Sequence, residues 1–118
     1  MDSREIAQIA VRAADSKRAS DIVVLDMQNV SLMADYFMIA DANSNRQVKA
    51  IADEVIDQLH ASKVKVYKVS GKETAKWILI DLGEVIVHIF QKDEREFYNL
   101  EKLWSDAPMI DIRDWVEA

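Results

Sequence analysis

The chain has 118 residues, half of them hydrophobic, enough for one domain with a real core. Fifteen basic residues stand against 21 acidic ones, and the net charge of −6 works against holding a phosphate backbone while favouring a basic partner. With no Cys, two Gly and one Pro, the composition excludes disulfides, thiolate metal sites, a Gly-rich phosphate loop and a flexible linker.

At the N-terminus, "MDSREIAQIAVRAADSKR" carries acids and amphipathic spacing where a secretory signal needs a basic flank and an apolar block. No run approaches membrane-spanning length, so the expected location is the cytoplasm. Ile6, Ile9, Ala10 and Ala13 recur at helical spacing behind a capping box of Asp2 and Glu5, predicting a helix over 3–17. "DIVVLD", 21–26, reads as a strand buried on both faces, and "DYFMIAD", 35–41, as a second strand after the loop "NVSLMA". Beyond the turn "DANSN", Ser44 and Gln47 cap a helix whose stripe is Val48, Ile51, Ala52, Val55, Ile56 and Leu59. "VKVYKV", 64–69, alternates as a half-exposed edge strand would, its lysines discouraging stray pairing. After the surface loop "SGKETAK" come two strands about Gly83, then "DEREFYNLEKLW", a helix capped by Asp93 and Glu96 with Phe97, Leu100, Leu103 and Trp104 as its stripe. The tail "SDAPMIDIRDWVEA" has no clear period. Together the order predicts a single α+β domain with a mixed sheet of about five strands and packed helices.

The segment "WILIDLGEVIVHIF", 77–90, is the most apolar in the chain and the most informative. Gly83 and Glu84 suit a two-residue type II′ turn, which sets Leu82 opposite Val85, Ile80 opposite Val87 and Ile78 opposite Ile89 as a core wall. The reverse face then carries Trp77, Leu79 and Asp81 against Ile86, His88 and Phe90. Such a mixed face is either covered by a helix or offered to a partner. Asp81 and His88 share that face at non-opposed positions, and no Ser elbow or Cys completes a triad, so catalysis is not expected. His88 reads as a hydrogen-bonded structural histidine and His60 as a helix-end polar group. The start "NSNRQVK" is explained by capping, which leaves Arg46 and Lys49 open, and the "DEREF" charges read as a solvated helix start.

Taken together, "DYFMIADANSNRQVKAIADEV", "WILIDLGEVIVHIF" and "REFYNLEKLW" resemble the ribosomal silencing factor family, also called the Iojap family, over roughly residues 3–107. The family pattern has a Thr-Gly-Thr-Ser-like turn where this chain reads "DANS", and a Glu-Gly pair where it has Ser70 and Gly71. The resemblance implies a nucleotidyltransferase-like fold without its catalytic carboxylates, and indeed no D-x-D occurs in the chain. It further implies a non-enzymatic factor without cofactor or metal, which docks on ribosomal protein fourteen of the large subunit and sterically blocks small-subunit joining, repressing translation when nutrients are scarce. Carried over residue by residue, it marks Trp77, Asp81, Leu82, Gly83, Glu84, His88 and Phe90 as docking-region residues, with Tyr36, Arg46 and Tyr98 beside them. The same resemblance implies a homodimer as a second state. It places the domain at 1–107, leaving 108–118 as a C-terminal extension. Two other readings stay open: a nucleotide-binding or nucleotidyl-transferring enzyme using Asp81 with Glu84, and a plain dimerisation module.

Overall fold

Helix α1 (Ser3–Ser16) starts where the Asp2 carboxylate accepts the Glu5 amide at 2.8 Å, as the capping box predicts. Ser44 does the same for the Gln47 amide at the head of α2 (Asn45–Ala61). The structure is a computed structural model in which residues 1–117 are described. Strands β1 (Ser20–Asp26), β2 (Tyr36–Ala42), β3 (Lys68–Ser70), β4 (Trp77–Asp81) and β5 (Val85–Gln91) form one sheet in the order β1-β2-β5-β4-β3. The central pair β2 and β5 is parallel and the other neighbours are antiparallel, so the fold is α+β with a mixed sheet.

Helices α1 and α2 cover one face of the sheet. Ala10, Val11, Val48, Ile51 and Val55 pack there against Met38, Ile78, Ile80, Val87 and Ile89, all buried. Burying each aliphatic side chain of this kind contributes about 1.5–3 kcal/mol relative to exposure. The hairpin register matches its reading from sequence: Ile78 faces Ile89, Ile80 faces Val87, and the Leu82 amide donates to the Val85 carbonyl at 2.9 Å. Gly83 has φ +88 and Gly71 φ +90, a region that disfavours any side chain. At Gly71 a Cβ would sit 2.0 Å from the Trp77 carbonyl oxygen, so only Gly lets these two segments meet.

Four local expectations are corrected. The edge strand is limited to Lys68–Ser70, because Lys68 already faces Asp81, the last residue of β4; residues 64–66 run beyond the end of their neighbour and have nothing to pair with. Only Val24 and Leu25 of β1 are buried, and a register shift with Asp21 at φ +48 leaves the start of the strand in solvent. The last helix breaks at Asn99, a left-handed residue, into α3 (Lys92–Tyr98) and α4 (Leu100–Leu103). That break leaves Phe97 and Leu103 in solvent and keeps Leu100 buried with Trp104 half-buried against the sheet. Its cap is the Gln91 side chain, which accepts the Asp93 amide at 3.1 Å, in place of Asp93 and Glu96.

The tail, aperiodic in sequence, runs along the outer edge of β1. The Asp26 amide donates to the Pro108 carbonyl at 2.8 Å and the Ile110 amide to the Val24 carbonyl at 2.9 Å, so these groups are not left open to another chain. A 3-10 turn at Arg113–Trp115 follows, and the Glu117 amide donates to the Asp15 carboxylate at 2.8 Å.

Candidate functional site

Pleating puts Trp77, Leu79 and Asp81 of β4, Ile86, His88 and Phe90 of β5, and Phe37 and Ile39 of β2 on the face away from α1 and α2. α4, the 27–34 loop and part of the tail cover only some of it. Trp104 and Leu100 shelter the β1–β2 side, with Phe37 and Trp104 in edge contact at 6.0 Å. Toward β4 the face opens into a hollow of about 600 Å³, whose floor is Phe37, Leu79, Ile86 and His88 and whose rim includes Met33 and Tyr67. Asp81 is the one charged group among the described residues lining it.

Aromatic rings run across this surface in an unbroken series. Phe97 meets Tyr98 edge-on at 5.1 Å, Tyr98 meets Trp77 at 4.7 Å, and Trp77 stacks on Phe90 at 4.9 Å. Beyond them His88 lies 5.9 Å from Trp77 and 4.8 Å from Phe37. Phe97, Tyr98 and Leu103 at one side, with Leu32 and Met33 at another, are exposed large hydrophobic side chains. A clustered, rimmed apolar surface of this kind marks an interaction site more strongly than scattered exposed residues do.

His88 is buried and its chemistry is set by one neighbour. The Trp77 indole Nε1 donates to His88 Nδ1 at 3.1 Å, and because an indole can only donate, the neutral ring carries its proton on Nε2. Burial pulls the His88 pKa from 6.5 down to about 4, so the ring is uncharged at neutral pH. Nε2 is buried and has no partner among the described residues. Asp81 is engaged elsewhere: one carboxylate oxygen accepts the Gly83 amide at 2.8 Å and fixes the turn. The two residues therefore form no acid–base pair. No group of three or more His, Asp or Glu among the described residues is placed to hold a metal.

Of the residues marked from sequence, Trp77, Asp81, His88 and Tyr98 come together on this face. Gly83 and Glu84 form its turn, and a Cβ on Gly83 would lie 3.1 Å from the Tyr67 ring. Phe90 is on the same face but wholly buried, supporting Trp77 from below with no surface of its own. Leu82 and Tyr36 lie apart from them: both are buried with the helix-covered core, and the Tyr36 hydroxyl accepts from Gln28 at 3.1 Å. Arg46 is exposed on the first turn of α2, in the helix layer that covers the opposite face. Leu32, Met33 and Phe97 were absent from the residues marked in advance; an apolar pair in a loop has no periodicity to single it out.

Arg95 also departs from expectation, since the "DEREF" charges are not all solvated. Its guanidinium is buried, donating to Asp41 at 2.9 Å, to the Asp21 carbonyl at 2.7 Å, and to both Glu101 oxygens at 3.2 and 3.1 Å. Burial opposes the charge, but Glu101 and Asp41 together outweigh it and raise the Arg95 pKa. This cluster clamps α3 and α4 to β1 and β2. It thereby holds Tyr98 beside Trp77, with Phe97 against Tyr98.

The family model described as ribosomal silencing factor during starvation matches residues 1–118. A ribosomal silencing factor of Bacillus subtilis is 53% identical over 112 residues, covering 95% of each chain. One from Halalkalibacterium halodurans is 47% identical over 112 residues, covering 95% of this chain and 96% of its own. A crystal structure of a Bacillus halodurans protein superposes with a TM-score of 0.83 at 45% identity, over 92% of this chain and 99% of that one. These relatives bear the name of a regulatory factor and not of an enzyme, and no helix among the described residues is long and apolar enough to cross a membrane. The chain belongs to the ribosomal silencing factor family.

Proposed function

We propose that the aromatic face is a docking surface for the large ribosomal subunit, engaging ribosomal protein fourteen and sterically preventing the small subunit from joining, so that translation falls under nutrient limitation. The observation that carries this reading is the open apolar hollow ringed by Met33, Tyr67 and Trp104 and continued by exposed Phe97 and Tyr98. Aromatic anchors around a water-excluded centre are the usual composition of a binding hot spot. Charge supports the choice of partner. A chain of net charge −6 is steered toward a basic ribosomal protein and repelled by rRNA. Trp77 and Tyr98 are the direct anchors, Asp81 offers its remaining oxygen to a Lys or Arg, and Gly83 with Glu84 shapes the rim.

In this reading the factor works in the cytoplasm, residues 1–107 carry the docking function and 108–118 are an extension. A homodimer through the same face would compete with docking. The test is co-sedimentation of the purified chain with separated large and small subunits, then with both at magnesium levels that join them. Co-migration with the large subunit alone and reduced joining support the proposal; binding to neither subunit overturns it.

A further inference from the structure

Within the hollow one atom stands apart from its surroundings. His88 is buried and lies among floor residues that are otherwise apolar. Its Nδ1 is taken by Trp77, and Nε2, which must then carry the proton, has no acceptor among the described residues. A buried donor left unmade is costly, so its persistence in a floor of Phe37, Leu79 and Ile86 calls for a reason. Packing alone does not supply one: an apolar residue would fill the space without the penalty. Trp77 needs only the Nδ1 side of the ring.

We propose that His88 Nε2–H is the recognition donor of this face, giving its hydrogen bond on docking to a main-chain carbonyl of a basic, apolar protein segment seated in the hollow. The inference rests on the docking reading and adds the chemistry by which the occupant is chosen. A protein segment is favoured over RNA because the only charge among the described lining residues is the Asp81 carboxylate, which repels phosphate and attracts Lys or Arg. A carbonyl is the acceptor that every protein segment carries, and a neutral imidazole N–H can supply one bond to it. Because Nε2 is out of solvent, the incoming carbonyl reaches it by displacing the half-buried Phe37 ring, whose centroid lies 4.8 Å from the imidazole. Discrimination follows from this burial. A segment that fills the hollow without presenting an acceptor gains no bond from the donor and leaves it unpaired, while one that presents a carbonyl satisfies it.

Two variants separate this role from packing. His88→Met keeps a weak sulfur acceptor for Trp77 but has no donor, while His88→Gln has both an amide oxygen and an N–H. With isolated large ribosomal subunits as the probe, His88→Met should bind about tenfold more weakly than the unaltered chain and His88→Gln within about threefold of it. Equal affinity of the Met variant, or equal weakening of both, overturns the donor role while leaving docking intact. If the unaltered chain itself fails to bind, the docking reading falls and this inference with it. A readout free of folding effects is the ring-nitrogen NMR spectrum of the ¹⁵N-histidine-labelled chain, taken on the chain alone and on its sediment with large subunits. The Nε2 signal of His88 should move on docking to that of a hydrogen-bonded donor, with His60 as the internal reference. An unmoved signal in a bound chain overturns the proposal.

Discussion

Trp77 and His88 act as one unit: the indole N–H donates to the imidazole Nδ1 across adjacent antiparallel strands, at 3.1 Å. The bond fixes the tilt of the half-buried indole against Tyr98 and the tautomer of the histidine at once. A single contact thereby connects the half-buried indole to the floor of the hollow.

Replacing Trp77 by Ala should cost about 2 kcal/mol or more of binding to the large subunit, the size expected for a central aromatic anchor. The fold should survive, because Trp77 caps Phe90 from outside while the helix-side core is untouched. Co-sedimentation together with far-UV circular dichroism checks both halves. A variant that loses its dichroism would show that Trp77 belongs to the core.

Stability should fall as the pH drops, through His88. Its folded pKa of about 4 lies below the unfolded value of 6.5, so the unfolded chain binds the extra proton first. The stabilisation is complete above about pH 6.5, is lost progressively between 6.5 and 4, and levels off below that; it amounts to roughly 3 kcal/mol. Urea unfolding at pH 7.5 and 4.5 should show this loss in the unaltered chain. His88→Met should lack that part of it.

Cutting Arg95 to Ala should destabilise the chain by about 3–5 kcal/mol, because Asp41 would keep a buried charge with no partner. Chemical denaturation measures the loss. Docking should weaken as well in the fraction still folded, since α3 carries Phe97 and Tyr98 and loses its clamp.

The two glycines should differ. Gly71→Ala should lower stability by more than about 2 kcal/mol, the left-handed cost being increased by a Cβ 2.0 Å from a backbone oxygen that cannot rotate away. At Gly83 the obstacle is the exposed Tyr67 ring at 3.1 Å, which can swing aside, so Ala there should cost only about 1–2 kcal/mol. Thermal melts of the pair give the ranking directly.

Leu32→Ser with Met33→Ser should leave the melting temperature unchanged, since both side chains stand in solvent. Affinity for the large subunit should nevertheless drop, because Met33 lines the rim of the hollow and exposed Leu32 precedes it in the same loop. Normal binding by the double variant would remove the 27–34 loop from the docking surface.

By itself the sequence determined the elements whose cues are local. Asp2 and Ser44 announced their helices because a capping oxygen needs only an amide three residues away. Gly83 set the hairpin register because a two-residue turn leaves no freedom in which residues face each other. The same register put Trp77, Asp81 and His88 on one face, and the family resemblance pointed to docking as the role to test there. Tertiary structure alone decided what depends on partners far along the chain. Arg95 is buried because Asp41, 54 residues earlier, lies within reach, and no spacing rule connects them. Where β4 ends decided how short β3 would be, and the left-handed Asn99 turned Phe97 outward against its helical stripe. Strand alternation could not say whether the reverse face would be covered. That rested on how far α4 and the tail extend across the sheet, and they stop short of the hollow where His88 Nε2 has no partner among the described residues.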